Sequence, residues 1–331
     1  MAEPIPTTED LTRLAAEQQR LFDAFTSPEE RRQRGHFGTP PAIANFMASM
    51  FDGFSQENVR VLDPGAGVGT LSAAVCNRIL QQPIRRDVVF ELWENDPKLG
   101  SYLRRTMECC RSALHRAGHE MAFTIRSEDF VLENAQRSLF EAGPVASFEF
   151  AIMNPPYYKL RKNSKCAQAM KHVVHGQPNI YALFMAVAAD LLIPGGELVA
   201  ITPRSYFNGP YFKRFRKWFF DRAAAKRIHV FESRADAFRN DDVLQENVIL
   251  LAEKSGAPSN VVVTSSIGQG LSGVGRRIVP YRKVVEDSSG DHLVRVATSG
   301  IELNIIEAMD RLPRRFREIG IEISTGPVVT F

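Results

Sequence analysis

The run Asp63-Pro64-Gly65-Ala66-Gly67-Val68-Gly69-Thr70 constrains this chain more than any other. It stands between an apolar stretch, VRVL, and a helix-forming stretch, Thr70–Leu80. Glycine accepts the positive φ of a tight strand-to-helix turn and lets the backbone lie against a ligand with no side chain between them. In sheets whose strands alternate with helices, ligands sit beyond the carboxyl ends of the strands, where such turns occur. The following text keeps that alternation: strand VVFELWEND, helix Pro97–Ala117, strand Phe123–Ile125, strand FEFAIMNPP, helix Ile180–Leu192, strand GGELVAITP, helix Tyr211–Ala224, then strands RIHVFE and VILLAEK. It predicts an α/β fold, a doubly wound Rossmann-like sheet with helices on both faces. The segment Asp236–Gln245 is too short for a crossover helix, so the last two strands are expected to pair antiparallel at the sheet edge.

Both ends depart from this pattern. Residues 1–34 read as a helical segment, with Thr8 and Asp10 as capping residues and Leu11, Leu14, Ala15 and Leu21 as its apolar face. Gly35–Pro41 interrupts it, and Ala42–Phe51 is helical again behind Pro40 and Pro41. The alternating region fills 35–254. Residues 255–331 begin with the linker-like SGAPSN, continue through short β-prone pieces and a helix at Ile301–Leu312, and stop at the strand-like ISTGPVVTF. They are expected to be a linker and the start of a truncated C-terminal region.

Composition excludes several classes. With 331 residues and 44% hydrophobic side chains, the chain can bury one large core. Its 41 basic and 38 acidic residues leave a net charge of +3, too mild to identify a nucleic-acid binder without local clusters. Cys76, Cys109, Cys110 and Cys166 form no CxxC pair, so no structural zinc site is expected, and reduced thiols fit a cytoplasmic protein. No apolar run approaches the roughly 20 residues of a membrane span, and the polar N-terminus is no signal peptide.

The ligand suggested by the glycine-rich turn is not a dinucleotide. A pyrophosphate needs free N–H groups and no anion nearby, whereas Asp63 ends the first strand. That carboxylate suits a ligand bearing an ammonium group, such as S-adenosylmethionine. Glu94, at the end of the second strand beside Asn95, is placed to accept both hydroxyls of a ribose. After the third strand, Asp129 is a candidate acceptor for an adenine amine, with Phe130 packing beside it.

Asn154-Pro155-Pro156-Tyr157 directly follows the apolar strand FEFAIM. Two prolines end a ladder and stiffen the backbone. The Asn154 amide oxygen and the Pro155 carbonyl together can accept both hydrogens of a planar NH2 group, and Tyr157 offers a face for a planar base. Lys159, Arg161, Lys162, Lys165, Lys171 and His172 come next, as a flexible solvated loop or as phosphate contacts. Lys213, Arg214, Arg216 and Lys217 interleave with Phe212, Phe215 and Trp218, which predicts an amphipathic helix with its basic residues in water.

Together, Gly38-Thr39-Pro40-Pro41, Asp63-Pro64-Gly65-Ala66-Gly67, Glu94, Asp129 and Asn154–Tyr157 resemble the N6-adenine DNA methylases of type II restriction–modification systems, in the gamma order. The resemblance runs from about Arg34 to Lys254. It implies a methyltransferase sheet, S-adenosylmethionine as cofactor, double-stranded DNA as partner and a cognate restriction endonuclease encoded nearby. It also implies that Thr39 contacts the cofactor's amino-acid end and that Phe238 packs beside a flipped-out base. Neither metal nor covalent intermediate is expected. The alternatives are a methyltransferase acting on RNA adenine or a protein glutamine amide, and a catalytically incomplete DNA-binding fragment.

Overall fold

The computed structural model describes residues 10–27, 29–30, 38–140, 147–174, 179–231, 246–267, 271–287, 290–313 and 319–321. Its frame is a nine-stranded sheet fed by alternating helices. The elements begin with α1 (Leu11–Ala24), α2 (Pro41–Met50), β1 (Asn58–Pro64), α3 (Thr70–Leu80), β2 (Asp87–Trp93), α4 (Gly100–Arg116), β3 (Glu120–Arg126), α5 (Phe130–Phe140) and β4 (Phe148–Met153). They continue with a short α6 (Lys165–Ala169), α7 (Ile180–Leu191), β5 (Leu192–Pro203), α8 (Lys213–Phe220), β6 (Ala223–Phe231), β7 (Asn247–Lys254), β8 (Asn260–Ile267) and β9 (Ser272–Pro280). The spatial order is β3-β2-β1-β4-β5-β7-β6-β8-β9.

The first five strands in that order are parallel, with β4 between β1 and β5. All six residues of β4 are buried, as expected of a strand covered on both faces. On one side lies α7, IYALFMAVAADL, a helix apolar almost all round and therefore buried almost all round. On the other lie α1, α2, α3 and α4, whose Leu11, Ala15, Met47, Val75 and Met107 close a second core. Because the order reverses between β1 and β4, their carboxyl ends open a crevice there.

The antiparallel pairing expected of the two late strands is present: β7 runs between β5 and β6, antiparallel to both. The sheet also continues beyond them. SGAPSN is a turn, after which β8 adds parallel to β6 and the β8–β9 hairpin forms the antiparallel edge.

Three local expectations are corrected. Asp10 caps α1 by accepting from the Thr12 amide at 3.1 Å, but the buried face is Leu11, Ala15, Gln18 and Phe22. Leu21 falls off that spacing and is 49% exposed. The helix predicted to reach Ala224 stops at Phe220, because Ala223–Ala225 pair with β7 as the start of β6. Within α8, Arg216 is buried rather than solvated: its guanidinium donates to the carbonyls of Tyr206 (3.1 Å) and Gly209 (2.7 Å), fastening the turn after β5. Helix α5 was not anticipated.

Candidate active site

The carboxyl ends of β1, β2, β3 and β4 surround a cavity of about 430 Å³. That volume lies within the roughly 300–1,000 Å³ of small-molecule sites. Its wall includes Thr39, Gly65, Ala66, Gly67, Glu94, Asn95, Asp129, Phe130, Asn154 and Pro156. Ten residues singled out from sequence, drawn from five separate segments, thus meet around one space.

The glycine turn is tied to its neighbour strand. Gly65 and Ala66 both donate to the Trp93 carbonyl, at 2.8 and 2.9 Å. Gly65, Gly67 and Gly69 all have positive φ, at 76°, 57° and 87°. At Gly67 an added Cβ would meet nothing within 4 Å, so its backbone faces open space. Glu94 completes the turn: Oε2 accepts from the Gly67 amide at 2.9 Å and Oε1 from the Asp96 amide at 2.8 Å. Burial raises its carboxyl above the usual range, against the pull of those two backbone bonds. Each oxygen retains a second lone pair for a ligand hydroxyl.

Asp63 lies behind the turn, fully buried and outside the cavity wall. Its Oδ2 accepts from the Ser72 hydroxyl at 2.7 Å, and its Oδ1 is buried with no hydrogen-bond partner. Burial pushes the carboxyl up to about 7. Pro64 ends β1 and is buried beside it. Asp129 caps α5, accepting from the Leu132 amide at 2.9 Å. Cys166 stands 3.9 Å from its other oxygen, and burial, with that carboxylate nearby, pushes the thiol up to about 11. A thiol held protonated in this way is no nucleophile.

Asn154 is held from two sides. Its Nδ2 donates to Thr39 Oγ1 at 3.0 Å, and its Oδ1 accepts from the Tyr157 hydroxyl at 2.6 Å. The same hydroxyl lies 2.9 Å from the Ile201 carbonyl at the end of β5. The Tyr157 ring packs edge-on against Tyr181, with centroids 6.3 Å apart. Tyr157 and Pro155 do not line the cavity, although they adjoin residues that do. Lys159 is exposed and bridges Asn179, outside the cavity wall. Phe238 lies outside the described residues.

The cavity also draws on residues that the sequence did not mark. Gln19 and Phe22 reach it from α1, Tyr158 from the residue after Tyr157, and Phe184 from α7. The helix α1 is anchored for this by Asn77, which donates to Asp10 (2.7 Å) and Asn45 (3.1 Å) and accepts from the Leu11 amide (3.1 Å). Phe130 packs between Trp93 (5.5 Å) and Phe184 (5.2 Å), giving the β2–β3 end an aromatic floor.

The cations after Tyr157 differ from Arg204, Lys213 and Lys217. Lys159, Arg161, Lys162, Lys165 and Lys171 are exposed, and none has an acidic partner among the described residues. Lys213 instead pairs with Asp291, Lys217 with Asp221 and Arg204 with Glu246. Among the described residues no group of histidine, cysteine and carboxylate side chains could hold a metal ion, and no helix is long and apolar enough to cross a membrane.

The chain is similar to known proteins. Residues 97–238 match the Eco57I restriction-modification methylase family. The type II methyltransferase M.BsuBI of Bacillus subtilis is 35% identical over 92% of this chain, and M.PstI of Providencia stuartii 33% over 91%. The chain spans 60% and 59% of the lengths of these two relatives. A Listeria monocytogenes structure assigned to the class I S-adenosylmethionine-dependent methyltransferases shares the fold, with a TM-score of 0.57 at 17% identity over 80% of this chain and 75% of its own. Residues 97–238 are therefore an Eco57I restriction-modification methylase domain, in a chain homologous to the type II methyltransferases M.BsuBI and M.PstI.

Proposed function

We propose that the chain is the methyltransferase part of a site-specific DNA methylase, transferring a methyl group from S-adenosylmethionine to N6 of an adenine turned out of duplex DNA. The observation that carries this reading is the position of Asn154: its amide stands in the wall of the cavity that also holds the glycine turn and Glu94. A nucleophilic amine and a methyl donor thus have places side by side.

The residues fit the donor. Asp63 Oδ1 is an orphaned buried acceptor directly behind the turn that the donor would lie against. Gly67 leaves open space for an adenosyl group, Glu94 has lone pairs for its ribose hydroxyls, and Asp129 with Phe130 flanks a place for its adenine. S-adenosylmethionine, when bound, supplies a methyl group on a sulfonium, so that the bond to sulfur breaks with its electron pair staying on sulfur.

The chain's own contribution is placement. Asn154 Oδ1 and the Pro155 carbonyl accept the two amine hydrogens, which turns the nitrogen lone pair toward the methyl carbon. The amine loses one of those protons to solvent once the new bond has formed. Orientation and a preset electrostatic field suffice for such a displacement. Turning the base out costs a few kcal/mol. The exposed cations from Lys159 to Lys171 are suited to phosphates beside it. A restriction endonuclease reading the same sequence is the expected partner.

Incubation of duplex DNA with this chain and isotope-labelled S-adenosylmethionine, followed by digestion to nucleosides, tests the reading. Label in N6-methyladenosine of the deoxy series supports it. Label only in a cytosine product, in RNA or in protein would refute it.

A further inference from the structure

Helix α1 precedes both the matched domain, 97–238, and the stretch from Arg34 over which the chain resembles known methylases. It is nevertheless built against the cavity. Phe22 is 2% exposed and packs with Val68 of the glycine turn and with Leu99, edge-on to Tyr102 at 5.9 Å. Just beyond the helix, Glu30 pairs with Lys98 at 2.7 Å. With the Asn77 contacts at its start, α1 is tied near both ends to the chain that follows β1 and β2. So fastened, it puts Gln19 and Phe22 into the cavity wall.

Gln19 is held in one orientation. Its Nε2 donates to Asp23 Oδ1 at 2.9 Å, one helical turn on. A carboxylate only accepts, so the amide nitrogen must face Asp23 and the oxygen must face away from it. That oxygen, Oε1, lies over Gly38 and has no hydrogen-bond partner among the described residues. Gly38 has no positive φ, so its own backbone does not demand glycine. Its neighbour does: an added Cβ would stand 3.1 Å from Gln19 Cδ and Cγ and 3.2 Å from Oε1. The missing side chain at 38 lets the glutamine cross into the cavity.

The charge of the wall narrows what Oε1 can meet. Glu94, Asp96, Glu128 and Asp129 belong to the wall, and among the described residues no lysine or arginine does. Such a wall favours a cation. In the function proposed above, the donor's adenine lies by Asp129 and Phe130, its ribose by Glu94 and its methyl group by Asn154. The polar piece left is the amino-acid end, and its ammonium group carries three donors that need acceptors. We propose that Gln19 is a cofactor-binding residue, its Oε1 accepting from the ammonium group of the donor's amino-acid end. This rests on the function proposed above.

Calorimetry of the full chain with S-adenosylhomocysteine, which keeps the amino group, and with its deaminated analogue tests this without turnover. The wild type should bind S-adenosylhomocysteine at least about tenfold more tightly than the analogue. Gln19→Met keeps the length of the side chain and removes its acceptor. It should bind S-adenosylhomocysteine at least about tenfold more weakly than the wild type, with affinity for the analogue within about twofold. Gly38→Ala, which pushes the glutamine aside, should lower the preference for the amino group in the same direction. A Gln19→Met protein that retains the wild-type preference overturns the proposal. So does an equal loss for both ligands, because a merely structural glutamine would weaken both. Absence of adenine methylation by the wild type overturns the proposed function instead, and the two affinities still decide whether Gln19 meets the ammonium.

Discussion

Glu94 accepts the Gly67 amide at 2.9 Å and so joins the end of β2 to the glycine turn after β1. One carboxylate thereby fixes the shape of the turn and faces the cavity that the turn lines. Removing it should have two separable effects. Glu94→Ala leaves the Gly67 amide and the buried Asp96 amide without these acceptors, which costs about 1–3 kcal/mol of stability. It also removes the acceptors offered to a ribose, and should weaken S-adenosylhomocysteine binding at least about tenfold by calorimetry. Glu94→Gln, which keeps one oxygen, should fall between the wild type and Glu94→Ala on both measures.

Asp63 predicts a pH dependence of stability. Its carboxyl moves from 3.8 to about 7 on folding, chiefly through burial, with the Ser72 bonds opposing and Glu94 adding. Between those values the folded chain holds more of this proton than the unfolded chain. Stability from this group is therefore lost as pH rises through that window and levels off above about 7. Asp63→Asn has no such titration. Its Tm relative to the wild type should climb between pH 5 and 7 and then plateau, with a ceiling of about 4 kcal/mol. A relative Tm that is flat across that range would contradict the burial of a carboxyl here.

The glycine turn also makes a packing prediction. At Gly69, φ is +87° and an added Cβ would stand 2.9 Å from Leu103 Cδ1 and 3.3 Å from Thr106 Cγ2, both on α4. Gly69→Ala combines left-handed strain with overpacking and should cost about 2–4 kcal/mol by denaturant unfolding. Gly118 has φ +84° but nothing within 4 Å, so Gly118→Ala should cost only the strain, about 1 kcal/mol.

How much of this was legible in the sequence depended on how local the cause was. The turn at 63–70 and the tip at 154–157 were readable, because glycines and prolines state their backbone demands within a few residues. Glu94 and Asp129 followed from their places after strands. Gln19 and Phe22 were not readable: nothing in an amphipathic helix says that one edge will overhang a cavity built by residues much later in the chain. The continuation of the sheet into β8 and β9 was likewise hidden, because pairing between Arg227 and Val262 is decided by distant partners. Arg216 looked like its basic neighbours, and only the carbonyls of Tyr206, Gly209 and Asp291 distinguish it.

The exposed cations after Tyr157 predict a salt effect. If Lys159, Arg161, Lys162, Lys165 and Lys171 meet phosphates, neutralising two of them should lower the slope of log affinity against log salt by about 2. The double variant Lys159→Ala/Lys162→Ala, measured on duplex DNA from 50 to 300 mM salt, should show that change, with S-adenosylhomocysteine affinity unaltered. Lys213→Ala/Lys217→Ala, whose parent lysines are already paired with acids, should leave the slope nearly unchanged.

The most direct measurement is N6-methyladenine formed in duplex DNA by the wild type and by Asn154→Ala in a single turnover, with cofactor affinity measured in parallel. The expected result is modified adenine from the wild type, at least about a hundredfold less from the variant, and cofactor affinity within a few-fold. Equal methylation by the two proteins, or loss of cofactor binding as the cause of the defect, would contradict a role for Asn154 in gripping the amine.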